Sequence, residues 1–283
     1  MLTDAHQQFY QANGYVVVRG LFGPEEVAGL REHYMTLRQQ PQPGDDTGID
    51  IGGDDPIKRY PRMIQPNRWD ALSHRWMLEP RLNACLTGLL GREPFAVQTM
   101  VYFKPAGSRG QALHQDNYYL RVQPGTCMAA WMALDPCDEA NGCMQLVPGS
   151  HTWDLLCTKE ADTTISFTDV TVPLPSGVEA QPVLMEAGDV LFFNGSIVHG
   201  SYPNTTPDRF RRSLVAHYIE GDSAAVSKGY QPAYRMDGTP LALEPSPGGS
   251  TCGVWVEQGG APAIAMTGQQ TAVHRPHGEA RPH

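Results

Sequence analysis

From about residue 95 onward the chain breaks into short apolar runs separated by turn residues: 96–104, 112–121, 126–135, 143–147, 181–186, 190–193, 197–199 and 211–219. Runs this short, recurring at this spacing, are what the strands of a β-sandwich or barrel require. Gly (29) and Pro (24) are numerous and charged residues make up only 18%. Turns are therefore frequent, which disfavours a helix bundle. The expected fold class is mainly β with flanking helices.

The helices belong to the region ahead of this core. Residues 4–13 and 24–40 read as helical, with Asp4 as the cap of the first. Pro24 opens the second, and Glu25 and Glu26 follow it at the positive helix end. Tyr15–Arg19 reads as a short strand, and 76–91 as a helix ending at Gly91. The Pro-, Gly- and Asp-rich stretch 41–56 reads as a mobile loop, a lid or a plain solvated acidic loop. Residues 151–180 form a long insertion between strands. We expect one domain over 1–265, made of a helical part at 1–94 and a β core at 95–220, and a loose tail at 266–283.

Hydrophobic residues make up 41% of the 283, enough for a sizeable core. The net charge of −9 disfavours nucleic acid or an anionic membrane as the main partner and leaves a small molecule as the expected one. No apolar run is long enough to span a bilayer, and the first residues lack the basic start and apolar stretch of a secretory signal. The six cysteines (85, 127, 137, 143, 157, 252) contain no CxxC pair. Free thiols in a reducing cytoplasm are the expectation.

Chemistry concentrates in three segments. In Leu113-His114-Gln115-Asp116-Asn117-Tyr118, a strand would point His114 and Asp116 to the same side. They would then present an imidazole nitrogen and a carboxylate oxygen to one metal, and a third ligand from elsewhere would complete a facial triad with open positions. The second segment, Gly188-Asp189 through Phe192-Phe193 to His199-Gly200-Ser201, carries a lone histidine, more often a satisfied core group than a ligand. The third, Phe210-Arg211-Arg212-Ser213, alternates as a strand, so one arginine faces inward. A buried guanidinium needs an anion, either a structural carboxylate or a bound dicarboxylate.

These segments resemble, in this order, the phytanoyl-CoA dioxygenase (PhyH-like) family of iron(II)/2-oxoglutarate oxygenases. Asn141-Gly142-Cys143 leading to Pro148-Gly149-Ser150-His151, Trp131 after the HxD triplet, and the Gly-Asp turn before His199-Gly200-Ser201 carry the likeness. It covers roughly residues 10–220. It implies a double-stranded β-helix (jelly roll, cupin-like) core, with Fe(II), 2-oxoglutarate as cosubstrate, and O2. It implies His114, Asp116 and His199 as iron ligands and Arg211, about a dozen residues past His199, as the 2-oxoglutarate anchor, with Arg212 in reserve. Ser201, Trp131, Tyr102 and Lys104 are expected beside the cosubstrate. The implied activity oxidises an unactivated C–H of a small organic substrate, most simply by hydroxylation, with release of succinate and CO2. Related halogenases replace the acidic ligand by Ala or Gly, and Asp116 is retained here, so oxygen chemistry is expected.

Substrate contacts are expected from Arg62, Met63, Asn117 and Tyr118. His217, His6 and the tail histidines carry no special claim to metal. Two other classes are weighed against this reading: a cupin-type metalloenzyme without 2-oxoglutarate, and a non-enzymatic jelly-roll module. The module leaves the two-His, one-Asp set and the inward arginine without purpose, and the single HxD with a distal His and a following Arg fits a cupin site less well.

Overall fold

The computed structural model describes residues 2–45, 56–247 and 251–270, without the side chains of 268–270. The centre of the expected 41–56 loop, at 46–55, and the tail from 271 onward lie outside the described residues.

Helix α1 (Asp4–Asn13) leads into strand β1 (Tyr15–Val18), and α2 (Pro24–Leu37) follows. The α1 cap is Thr3 rather than Asp4: its hydroxyl accepts from His6 N, and the His6 ring takes Thr3 N in return. The helix expected over 76–91 is two helices, α3 (Ala71–Met77) and α4 (Pro80–Leu90). Pro80 cannot donate to a continuing helix but suits a first turn, so the chain breaks and restarts there.

The strands then run in chain order. After β2 (Met63–Ile64) come β3 (Phe95–Lys104), β4 (Gln111–His114), β5 (Cys127–Ala133) and β6 (Met144–Leu146). The insertion holds β7 (Lys159–Glu160) and β8 (Val170–Thr171), followed by β9 (Gln181–Val183), β10 (Val190–Asn194), β11 (His199–Ser201) and β12 (Arg211–Ile219). The last are β13 (Ala225–Val226), β14 (Ala233–Tyr234), β15 (Pro240–Leu241), β16 (Glu244–Pro245), β17 (Thr251–Gln258) and β18 (Ala261–Gln270).

Two sheets form the core. The larger has the order β1-β10-β5-β12-β3-β14-β15, with β2 also on β3, and the smaller β4-β11-β6-β9. Antiparallel pairing of strands far apart in sequence, β12 with β3 and β5 for example, gives the jelly-roll arrangement. Alternation sorts the side chains of the larger sheet. Val101, Phe103, Met132, Leu214 and Ala216 pack with Leu30, Tyr34, Leu82 and Leu86 of the helices. Met100, Trp131 and Val215 point the other way, towards Met144 and Leu146 of the smaller sheet. The helices thus seal one face and leave the other for the site.

The Gly-Asp turn before β10 has a steric reason. Gly188 has φ +96, and a Cβ there would lie 2.2 Å from the Phe22 carbonyl oxygen. Its neighbour Asp189 accepts from Gly20 N, Glu186 N and the Arg19 guanidinium, tying β10 to the end of β1.

Two expectations need correction here. Cys157 and Cys252 form a disulfide, while Cys85, Cys127, Cys137 and Cys143 are free and buried. The pair is 95 residues apart, so no local motif announces it. The tail was expected from 266, but β18 continues to Gln270, paired along β17. No helix among the described residues is long and apolar enough to cross a membrane.

Candidate active site

The site lies between the two sheets. Tyr102, Trp131, Phe193 and Arg211 line it from the larger sheet, and Gln111, His114, Met144, His199 and Ser201 from the smaller. His114 ends β4 and His199 begins β11, and the two are direct antiparallel partners. Their rings lie with centroids 4.2 Å apart, tilted by 50° to each other.

Asp116 arrives differently from the expectation. It is not on a strand: its backbone is helical (φ −62, ψ −35) at the start of the short helix α5 (Asn117–Leu120). The turn after β4, and not strand parity, brings its carboxylate back to His114. Oδ1 of Asp116 lies 3.6 Å from Nε2 of both His114 and His199. The three ligand atoms all lie within 4.8 Å of one another, and all three residues are buried.

The histidine tautomers suit a metal. Nδ1 of His114 meets the Ala112 carbonyl at 2.9 Å, and Nδ1 of His199 meets the Ile197 carbonyl at 3.0 Å. A carbonyl only accepts, so Nδ1 bears the proton and Nε2 keeps its lone pair toward the centre. Burial and the neighbouring His114 push His199 down to about 4. Burial, the largest influence on Asp116, raises its carboxyl, but His199, His217 and His114 outweigh it and hold the group well below the usual carboxylate range. The donor set is two imidazole Nε2 atoms and one carboxylate on one side of a point, which fits a ferrous ion with open positions.

The motif residues around the ligands hold these strands in place. Gln115, between His114 and Asp116, donates to the Ser196 carbonyl and accepts from Leu156 N. Ser150 of the PGSH passage accepts from Val198 N at 2.8 Å, fixing the residue before His199.

Strand β12 separates the two arginines. Arg212 faces outward and takes Asp135 through two hydrogen bonds of 2.7 Å. Arg211 faces inward, is 2% exposed, and lies over the Trp131 ring at 5.4 Å. Its Nε donates to the Gly142 carbonyl and its Nη1 to Ser213 Oγ. Both partners are neutral, and Arg211 makes no ion pair among the described residues. Burial works against its charge, so an anion in the cavity would relieve a real cost. Gly142 is required here: a Cβ at its φ of +88 would lie 2.6 Å from Lys104 Cδ and 2.7 Å from the Tyr202 carbonyl. Lys104 Nζ meets Ser201 Oγ at 2.8 Å, at the same end of the cavity as Arg211. A dicarboxylate with one end at the His/Asp set and the other at Arg211 fits this donor layout.

The expected substrate residues divide. Arg62 is buried and its Nη1 meets the Tyr102 hydroxyl at 3.4 Å, with Phe167 beside it. Asn117 Oδ1 caps the turn by accepting from Val122 N. Tyr118 packs edge-on against Tyr119, which reaches His114 at 6.4 Å between centroids. Met63 is corrected: it pairs with Val101 and is buried in the helix-side core, on the face away from the site.

Gln111 was not singled out and His217 was set aside as an ordinary histidine, yet both line the cavity. Gln111 Nε2 is 3.2 Å from His114 Nε2, and His217 Nε2 is 3.2 Å from Asp116 Oδ2. A signal for His217 was present, because it follows Arg211, Ser213 and Val215 on the inward positions of one strand.

The phytanoyl-CoA dioxygenase (PhyH) family model matches residues 10–213. The chain is similar to phytanoyl-CoA dioxygenase 1 of Oryza sativa subsp. japonica, 26% identical over 263 residues, covering 80% of this chain and 92% of that one. Peroxisomal phytanoyl-CoA dioxygenase of Rattus norvegicus is 25% identical over 242 residues, 80% of this chain and 71% of that one. Among solved structures, the epimerase SnoN in complex with Fe3+, alpha ketoglutarate and nogalamycin RO superposes with TM-score 0.63 at 22% identity, over 84% of this chain and 95% of that one. EvdO2 from Micromonospora carbonacea var. aurantiaca, complexed with 2-oxoglutarate, gives 0.62 at 19%, over 78% and 92%. The structural likenesses establish the shared fold.

Proposed function

The chain belongs to the phytanoyl-CoA dioxygenase family, and from that premise we propose that it is an Fe(II)- and 2-oxoglutarate-dependent oxygenase that hydroxylates an unactivated C–H of a small organic substrate. The observation that carries this reading is the pairing of two features in one cavity. The ligand atoms of His114, Asp116 and His199 converge at one end, and the buried Arg211 lies at the other with only neutral partners.

When bound, the metal and 2-oxoglutarate supply the oxidising chemistry, with O2 consumed and succinate and CO2 released. The protein's share is binding and position. His114 and His199 present Nε2 lone pairs, their rings fixed by Ala112 and Ile197 carbonyls. Asp116 offers Oδ1 on the same side. Arg211 would take the far carboxylate of 2-oxoglutarate through the part of its guanidinium that faces the cavity. Ser201, held by Lys104, adds a hydroxyl, and Trp131 forms the wall under the guanidinium. Tyr102, on the cavity wall, and Tyr119, beside His114, would narrow the approach to the metal, and Arg62, Asn117 and Tyr118 are assigned to substrate. Retention of Asp116 keeps for the protein a position that halide would otherwise occupy, which supports oxygen transfer over halogenation.

The test is substrate-independent. Metal-free protein should take up one Fe(II) per chain, and His114→Ala and Asp116→Ala should each lose both the iron and the slow uncoupled formation of succinate. Full iron occupancy and succinate formation in either variant would contradict the site.

A further inference from the structure

We propose that His217 is a positioning residue that restricts Asp116 to ligation through one oxygen, with its ring locked in the required tautomer by a relay through Gln98 and Gln65 to a backbone carbonyl. This rests on the reading of Asp116 as a metal ligand.

The direction of the relay can be worked out from its far end. The Gly229 carbonyl only accepts, so the nitrogen end of the Gln65 amide faces it, at 2.8 Å. That same Nε2 meets Gln98 Oε1 at 3.4 Å. With its oxygen so placed, Gln98 turns its Nε2 toward two acceptors, His217 Nδ1 at 3.0 Å and Met100 Sδ at 3.6 Å. His217 Nδ1 therefore carries a lone pair, and the ring proton sits on Nε2. That N–H donates to Asp116 Oδ2 at 3.2 Å.

The two oxygens of Asp116 are thereby given different work. Oδ1 faces Nε2 of His114 and His199, and Oδ2 is held by a ring N–H. An oxygen engaged by a donor is a poorer second ligand, so the carboxylate binds through Oδ1 and leaves the other metal positions open. The opposite tautomer would set the His217 lone pair against the lone pairs of Oδ2. Gln65, Gln98, His217 and Asp116 are all buried, so bulk water does not compete for these bonds and an error in one is felt in the next.

The relay also explains two features that packing alone does not. Gln65 adopts a left-handed backbone (φ 55), a conformation unfavourable for a residue with a Cβ. Here it aims the side chain at Gly229 and Gln98. Arg68, three positions on, donates to the carbonyls of Gly229 and Gln231, which fixes the turn that sets the direction of the chain.

Co(II) titration of the metal-free protein tests this without turnover, reading the dissociation constant and the visible ligand-field spectrum. His217→Leu should bind Co(II) roughly tenfold or more weakly, with weaker bands as Oδ2 joins the coordination. His217→Gln, whose amide nitrogen can reach the place of the ring Nε2, should recover most of the affinity and the wild-type spectrum. Gln98→Leu touches no metal ligand and should shift both readouts in the direction of His217→Leu, which covers the case in which His217→Leu does not fold. Wild-type affinity and spectrum in folded His217→Leu or Gln98→Leu, with Asp116→Ala losing the metal, would overturn the role of His217 and leave the metal site standing. An equal loss in His217→Gln and His217→Leu would also overturn it. If Asp116→Ala bound Co(II) like the wild type, the metal reading would fall, and the proposal with it.

Discussion

Arg211 and Arg212 are adjacent in sequence and opposite in role, and what separates them is a partner. Asp135 takes Arg212 on the outer side, while Arg211 is left inside with a carbonyl and a hydroxyl. Strand alternation required one arginine to face inward but could not say which, because Asp135 is remote in sequence. The resemblance to a family chose Arg211. His199 was legible only in the same way, since a lone histidine has many uses. Its burial has a consequence for pH. The ring titrates at about 4 in the folded chain and near 6.5 when unfolded. Between those values the unfolded state binds the extra proton, so stability of the metal-free protein should fall as pH drops from about 6.5 toward 4 and level off above. Denaturant midpoints at pH 5 and 7 should show this slope, and His199→Asn should flatten it. A slope unchanged in the variant would remove His199 as the cause.

Elements were legible where their boundaries follow from local chemistry. The apolar runs of β3, β5, β10 and β12 and the helix start at Pro24 are of this kind, whereas the restart at Pro80 was read through as one helix. The errors fell where a tertiary contact decides. Asp116 was placed on a strand because HxD alternates, but the chain turns into α5 there, with Asn117 N donating to the remote Gly195 carbonyl. Met63 sat in a segment rich in arginine, yet two residues of pairing with β3 draw it into the helix-side core. The hairpin of β17 and β18 was missed altogether. It is held to the insertion by the Cys157–Cys252 bond, by backbone bonds between Leu155, Cys157 and Gly253, and by Trp153 edge-on to Trp255. Cys157→Ser should lower stability by on the order of 2–4 kcal/mol and raise amide exchange in 251–270 well above that of β12. Equal stability of the variant and the oxidised wild type would show that the crosslink holds nothing.

At the scale of the whole molecule, one sheet divides its residues between two tasks. Its helix-side face, covered by α2 to α4, supplies the apolar core. Its other face carries Tyr102, Trp131, Arg211 and His217 toward the smaller sheet, which brings His114, His199 and Ser201. The ligands are then rigid because they sit on paired strands and on a turn pinned by Gln115, not on free loops. The central claim is that the cavity between the sheets holds a metal and 2-oxoglutarate together, the far carboxylate on Arg211. The most direct measurement is the visible charge-transfer band of the anaerobic Fe(II) protein on titration with 2-oxoglutarate. The account predicts that the band appears in the wild type, and that Arg211→Ala needs roughly thirtyfold more 2-oxoglutarate or higher to form it, the cost of about 2 kcal/mol or more for removing one partner of a buried charge pair. Iron binding with no band in the wild type, or a band of equal affinity in Arg211→Ala, would contradict it.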